Sequence, residues 1–167
     1  MRKNAIVIST TIVSEYLVSQ GFNCQWFDVR NLIRTDDTWR DAGVDWVVTT
    51  EQVTKALTPF LNSNSPETHI ALTQGFIGAT GSGYTTTLGR EGSDYSAAIL
   101  SHVLNATEMT VWKDVPGVLN ADPKFFQNTT LINHISYREA IELTYYGASV
   151  IHPKTIKPLQ NKSIPLK

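Results

Sequence analysis

The chain has 167 residues, 41% of them hydrophobic, and a formal charge of −1 at pH 7, which suits one folded unit with a real core and excludes a fibrous or unfolded segment. Lys and Arg are dispersed among the acids without a basic run, so no long-range field draws the chain to nucleic acid or anionic lipid; small, local ligands are the expected partners. No stretch approaches the roughly 18 apolar residues of a membrane helix, and the opening MRKNAIVISTTIVSEYL lacks a small-residue cleavage site, so a cytoplasmic protein is expected. Cys24 is the single cysteine, which excludes an internal disulfide and a Cys-based zinc site and reads as a buried strand thiol.

In chain order, Ile12, Val13, Tyr16 and Leu17 share a helical face that should dock on a core, and Gly21 follows where a left-handed cap would end the helix. Residues 24–29 read as a buried strand, 45–49 (DWVVT) as a second, and 51–61 as a helix ended by the polar loop NSNSPE. HIALT at 69–73 is a compact apolar strand running into QGFIGATGSGYTTT, whose glycines and threonines predict a hairpin at the carboxyl end of that strand. GATGSG lacks the Gly-Lys-Ser/Thr ending of a phosphate loop and does not clearly open a helix. Residues 93–104 (SDYSAAILSHVL) form a helix with small and apolar residues on most sides, and 109–112 a further strand. Ser136 and Glu139 make a capping box, with Tyr137, Ala140, Ile141 and Thr144 on one face and Gly147 at the stop. Alternating strands and helices predict an α/β fold with a mainly parallel sheet covered on both faces.

Two segments carry chemistry. TTTLGREGSDYSAAIL sets two glycines, Arg90, Ser93 and Asp94 at the turn into a buried helix, whose free N–H groups attract an anion while Arg90 can grip a carboxylate bidentately. A plainer reading is that Ser93 or Asp94 caps the helix and Arg90 makes a surface ion pair. VWKDVPGVLNADP ends a strand in opposite charges and turns twice; it can wrap a nucleotide, with Lys113 facing phosphate and the backbone near Val118 and Leu119 holding the base, or be a surface turn with Asp122 capping before Pro123. His69, His102, His134 and His152 show no metal-ligand spacing on one element, so no metal site is expected. Trp26, Trp39 and Trp46 read as packing.

TTTLGREGSDYSAA, VWKDVPGVLNADP and ELTYYGASVIHPKTI, with CQWFDVRNLIRTDD and LTQGFIGATGSGYTTT, occur in the order and approximate spacing of the aspartate kinase signatures, and the chain resembles that family from near its first residue to its last. The resemblance implies a three-layer α/β/α sandwich of the amino-acid kinase type, incomplete. On that expectation residues 1–167 are part of a catalytic domain whose glycine-rich N-terminal phosphate loop (KFGG type) and C-terminal regulatory ACT domains lie elsewhere or are missing. The implied reaction is transfer of the γ-phosphoryl of MgATP to the side-chain carboxylate of L-aspartate, the magnesium ion arriving with the nucleotide, in the first step towards lysine, threonine and methionine.

Carried over by motif, Arg90, Ser93 and Asp94 contact aspartate, Asp94 also orienting basic residues around the phosphates. Lys113, Asp114, Val118, Leu119, Lys124, Ser149 and Val150 lie along ATP, and Asp94 and Lys113 are the catalytic pair. Three positions depart from the common pattern: Lys113 where Thr is frequent, Leu119 where Tyr is frequent, and Ser149 where many relatives carry a phosphate-binding lysine. Lys113 is the expected replacement for that missing cation. The fragment alone is expected to be inactive, with an open sheet edge that can pair with another copy. Another amino-acid kinase of the same fold, or a non-catalytic nucleotide-binding or self-associating module, remains the alternative.

Overall fold

The computed structural model describes residues 2–63, 67–145 and 151–167. The first helix, α1, spans Arg2–Ser19 and ends at Gly21, which takes φ +84°; the Gly21 and Phe22 N–H groups donate to the carbonyls of Val18 and Leu17. A left-handed residue is what the cap needs, and glycine supplies it without a Cβ clash. The face that α1 turns inward is not the expected one. Ile12, Val13 and Tyr16 are 63%, 47% and 61% exposed, whereas Ser14 is buried and Thr10 and Leu17 half-buried. The reason lies in the strand beneath, which offers polar atoms that need partners. Trp26 Nε1 donates to Thr10 Oγ1 (3.1 Å), and Ser14 Oγ lies 3.5 Å from Cys24 Sγ.

Strand β1 (Asn23–Phe27) pairs in parallel with β2 (His69–Thr73), from Asn23 opposite His69 to Phe27 opposite Thr73. Because side chains alternate across a strand, Cys24 and Trp26 meet α1. Phe27 and Ala71 face the opposite way and join the core with Leu57, Ala56 and Leu61 of helix α2 (Trp46–Leu61). The result is helix, sheet, helix, the expected three layers, with helix α3 (Gly92–Leu104) packed beside α2.

The stretch 45–49 is not a strand. It forms the start of α2, with Asp45 as N-cap accepting hydrogen bonds from the N–H groups of Val47 and Val48, both at 3.1 Å. Two valines in a row carry strand propensity, but the cap together with burial of Thr49, whose Oγ1 accepts from Arg34 N (3.1 Å), decides for helix.

The predicted hairpin is present. Strand β3 (Ile77–Ala79) pairs antiparallel with β4 (Thr85–Thr87), and a 3-10 turn at Val29–Asn31 carries the chain from β1 towards it. The predicted strand at 109–112 is shorter than expected. Met109 N donates to Pro165 O and Val111 N to Lys167 O, both at 2.9 Å, in parallel alignment, but Trp112 is 92% exposed and takes no part. The capping box forms, Glu139 N donating to Ser136 Oγ and Ser136 N to Glu139 Oε2, and it opens α4 (Tyr137–Tyr145). Gly147 lies outside the described residues.

Helix α5 (Pro153–Gln160) begins at His152, whose Nδ1 accepts from Lys154 N. It packs on α3. Among the described residues two cores result, with α3 common to both. The larger gathers Val29, Ile33, Val53, Ile77, Leu88 and Ile99. The smaller gathers Ala98, Met109, Leu159 and Ile164. Trp26, Trp39 and Trp46 do not form one cluster: Trp26 binds α1, Trp46 lies edge-on to His102, and Trp39, half exposed, meets Tyr84 edge-on at the surface.

Candidate functional site

The hairpin and the start of α3 build one end of the site. Gln74, buried as β2 ends, has both amide atoms engaged: Oε1 accepts from Val29 N (2.9 Å), and Nε2 donates to Thr10 Oγ1 (3.0 Å) and Phe27 O (3.3 Å). This fixes where the chain leaves the sheet. Gly75 follows, and a Cβ there would lie 2.9 Å from the Ser93 backbone, so only glycine lets the loop and the helix start meet this closely. Phe76 N then donates to Ser96 Oγ, which donates to Gly92 O, both at 2.9 Å. Phe76 and Glu91 hold φ of +76° and +52°, left-handed values that non-glycine residues rarely adopt and that cluster at functional loops.

Arg90 and Ser93 are exposed beside this loop, and Arg90 makes no ion pair with another described residue. Neither Ser93 nor Asp94 caps α3; Glu91 occupies the N-cap position without a side-chain bond. The Asp94 carboxylate is therefore available elsewhere, and it pairs with Lys113 Nζ at 2.9 Å. The two side chains are only 18% and 26% exposed, so water screens this pair less than an ordinary surface bridge.

Lys113 also lines a cleft of about 560 Å³. Its walls are mostly apolar, including Val111, Val118, Ile135, Tyr137, Leu143 and Ile156. Volume and lining suit a flat, partly apolar ligand with charged groups directed at Lys113. Tyr137 closes one side, its hydroxyl donating to Ile164 O, and burial pushes its pKa up. Of the nucleotide-side residues expected from the sequence, Lys113 and Val118 line the cleft. Asp114 and Lys124 are exposed on the neighbouring loop, and Leu119 pairs with Leu131. Lys124 N caps onto Asp122 Oδ1 at 2.8 Å, the turn expected before Pro123. Ser149 and Val150 lie outside the described residues.

The sequence reading missed the α4 wall of the cleft, although the shared face of Tyr137, Ala140 and Thr144 was its signal. It also missed Lys154, which reaches Asp41 from far along the chain. No sequence pattern announces that contact. Among the described residues no three His, Cys, Asp or Glu side chains gather as a metal site, and no helix is long and apolar enough to cross a membrane.

The amino acid kinase family model matches residues 1–167. The chain belongs to the amino acid kinase family. It is 39% identical over 160 residues to the lysine-sensitive aspartokinase 3 of Escherichia coli (strain K12), a match covering 96% of this chain and 34% of that protein. It is 37% identical to the bifunctional aspartokinase/homoserine dehydrogenase of Buchnera aphidicola subsp. Acyrthosiphon pisum, covering 95% of this chain and 19% of that one. Among solved structures, E. coli aspartokinase III in complex with aspartate and ADP superposes with a TM-score of 0.88 at 39% identity, over 96% of this chain and 35% of that one. The chain thus spans about a third or less of the length of these relatives. The fold of the family member is the aspartokinase-like mixed α/β arrangement, with parallel strands between helices.

Proposed function

We propose that this chain forms part of the catalytic domain of an aspartate kinase, with an N-terminal phosphate loop and regulatory ACT domains supplied by other parts of the protein. The reaction is transfer of the γ-phosphoryl of MgATP to the side-chain carboxylate of L-aspartate, giving 4-phospho-L-aspartate and ADP. The observation that carries the reading is the Lys113–Asp94 ion pair, which joins the Arg90 loop to the apolar cleft at the start of α3. An acceptor on one side and a nucleotide on the other would meet there. A solved relative in complex with aspartate and ADP supports an amino-acid acceptor and a nucleotide as the two ligands.

Arg90 and Ser93 take the acceptor's carboxylate and hydrogen-bonding groups. The cleft takes the base and ribose, with Val118 against the base, and Asp114, Leu119, Lys124, Ser149 and Val150 are assigned to the rest of the nucleotide. An acceptor carboxylate oxygen forms the new bond to the γ-phosphorus as the bond to the β,γ-bridging oxygen breaks, and ADP leaves. No general base is needed, since a carboxylate with a pKa near 4 (about 3.9) is ionised at neutral pH. What the protein supplies is alignment and positive charge. Asp94 holds Lys113 towards the phosphates, and Lys113 stands in for the cation absent at Ser149; the magnesium ion enters as part of the substrate.

The test is aspartate-dependent ADP release, with trapping of the acyl phosphate by hydroxylamine, using the full-length protein that contains this chain. Turnover with L-aspartate but not with glutamate, acetylglutamate or UMP is expected, and Lys113→Ala should lower kcat about a hundredfold, the loss of roughly 3 kcal/mol of transition-state stabilisation. Turnover with UMP or acetylglutamate in place of aspartate would move the protein to another branch of the family. An unchanged kcat in Lys113→Ala would remove Lys113 from its role.

A further inference from the structure

Lys154 lies in the first turn of α5, where the helix dipole disfavours a cation. Its ammonium is compensated by three groups that all belong to the other end of the site. It pairs with the Asp41 carboxylate, lies 3.4 Å from the Leu88 carbonyl oxygen, and sits over the Tyr95 ring, 5.2 Å from its centre. Tyr95 is itself buried, next to Asp94, and its pKa is raised by burial and by the charge of Asp41.

Asp41 belongs to a segment that pairs with the end of β4. Ala42 N donates to Thr87 O (3.0 Å), Thr87 N to Trp39 O (2.8 Å), and Thr87 Oγ1 to Arg40 O (2.9 Å). The Asp41 carboxylate presses so closely on Gly89 that a Cβ there would overlap it, and Gly89 takes φ +82°. The residue after Gly89 is Arg90. One ammonium on α5, a helix that also lines the nucleotide cleft through Ile156, therefore ties down the loop that presents the guanidinium.

We propose that Lys154 is a positioning residue which holds the loop 88–90 in its acceptor-binding shape and so ties the nucleotide-side helix to the acceptor site. The proposal rests on the aspartate kinase reading above for the identity of the acceptor, and on geometry alone for the loop. Asp41 is 69% exposed, so its ion pair by itself is worth little. The Leu88 carbonyl and the buried Tyr95 ring supply the rest of the hold, and neither is lost when Asp41 is neutralised. Removing Lys154 should consequently matter more than removing the Asp41 charge.

The experiment uses the full-length protein and two readouts. Lys154→Met should raise KM for aspartate about threefold to tenfold, with kcat and KM for MgATP within about twofold; Asp41→Asn should have a smaller effect, and Lys154→Arg should restore most of the loss. Hydrogen exchange without ligand should quicken in Lys154→Met at the Leu88 and Gly92 amides, which donate to the carbonyls of Phe76 and Gly89, while α2 is unchanged. Unchanged exchange at these amides overturns the proposal, as does a uniform rise across the molecule or an equal rise in both KM values. Should the wild-type protein show no aspartate turnover, the functional reading fails, and exchange at residues 88–92 still decides whether Lys154 holds the loop.

Discussion

The two loops that meet at the Lys113–Asp94 pair are built in opposite ways. On the proposed acceptor side, residues 74–92 include buried Gln74, Ile77, Ala79, Thr86 and Leu88, and their polar groups bond across to α1, the 3-10 turn and the 39–42 segment. On the proposed nucleotide side, Trp112, Phe125 and Phe126 are 92%, 80% and 60% exposed. The bonds there are local: Asn120 N to Thr130 O, Ile132 N to Val118 O, and Thr130 N to Asn120 Oδ1. The proposed acceptor loop is preorganised by the core it sits on. The nucleotide loop has little holding its outer half, so substitutions should be felt strongly in the first and weakly in the second.

The sharpest test of that contrast is Gly75→Val in the full-length protein. The added Cβ meets Ser93 backbone rather than a movable side chain, so the helix start must shift and aspartate kcat/KM should fall about a hundredfold. A fall under about threefold would show that the acceptor loop is as adaptable as its neighbour. Next comes Gln74→Leu, which leaves the buried Val29 N–H without its acceptor and should cost about 1–3 kcal/mol in urea unfolding.

The Asp28–Arg30 pair gives a smaller effect, visible only with pH. The Arg30 side-chain hydrogen bond, aided by the Arg30 backbone N–H and opposed by partial burial, holds the Asp28 pKa below its ordinary value. Asp28 therefore contributes stability above its unfolded pKa of about 3.9, and loses it as pH falls through the lower folded value. Asp28→Asn should flatten the stability profile below pH 4 (about 3.9) and leave its shape above pH 6 (roughly) unaltered. Smallest of all is Phe125→Ser in the exposed loop, expected within about 0.5 kcal/mol of wild type. A larger loss would mean that Phe125 is covered in the intact protein.

The elements legible in the sequence were those whose local and tertiary preferences agree. HIALT, the glycine-threonine hairpin, the small-residue helix α3 and the Ser136–Glu139 box each announce themselves within a dozen residues or so, counted roughly. The DWVVT stretch failed because β-branched propensity pointed one way while the Asp45 cap and the Thr49–Arg34 bond pointed the other. The α1 face failed for a related reason. Apolar periodicity picks the oiliest stripe, but the sheet beneath presented an indole N–H and a glutamine amide, and only Thr10 could answer both.

Within the proposed site, Arg90, Ser93, Asp94 and Lys113 could be singled out from the sequence because they stand in compact runs. The Lys113–Asp94 pair was foreshadowed only as a role for Asp94, and the Lys154–Asp41 contact not at all. It joins residues far apart in the chain that carry no shared pattern. Such contacts are products of the fold and become visible only with it.

The pairing of Met109 and Val111 with Pro165 and Lys167 joins segments far apart in the chain. Hairpin β3–β4 closes over a few residues and can form early, whereas one wall of the cleft beside Lys113 exists only once two distant segments have met. Loop-closure entropy makes such pairing slow relative to local contacts. Refolding followed by a reporter near Lys113 should therefore lag behind one in the β3–β4 hairpin near Thr86.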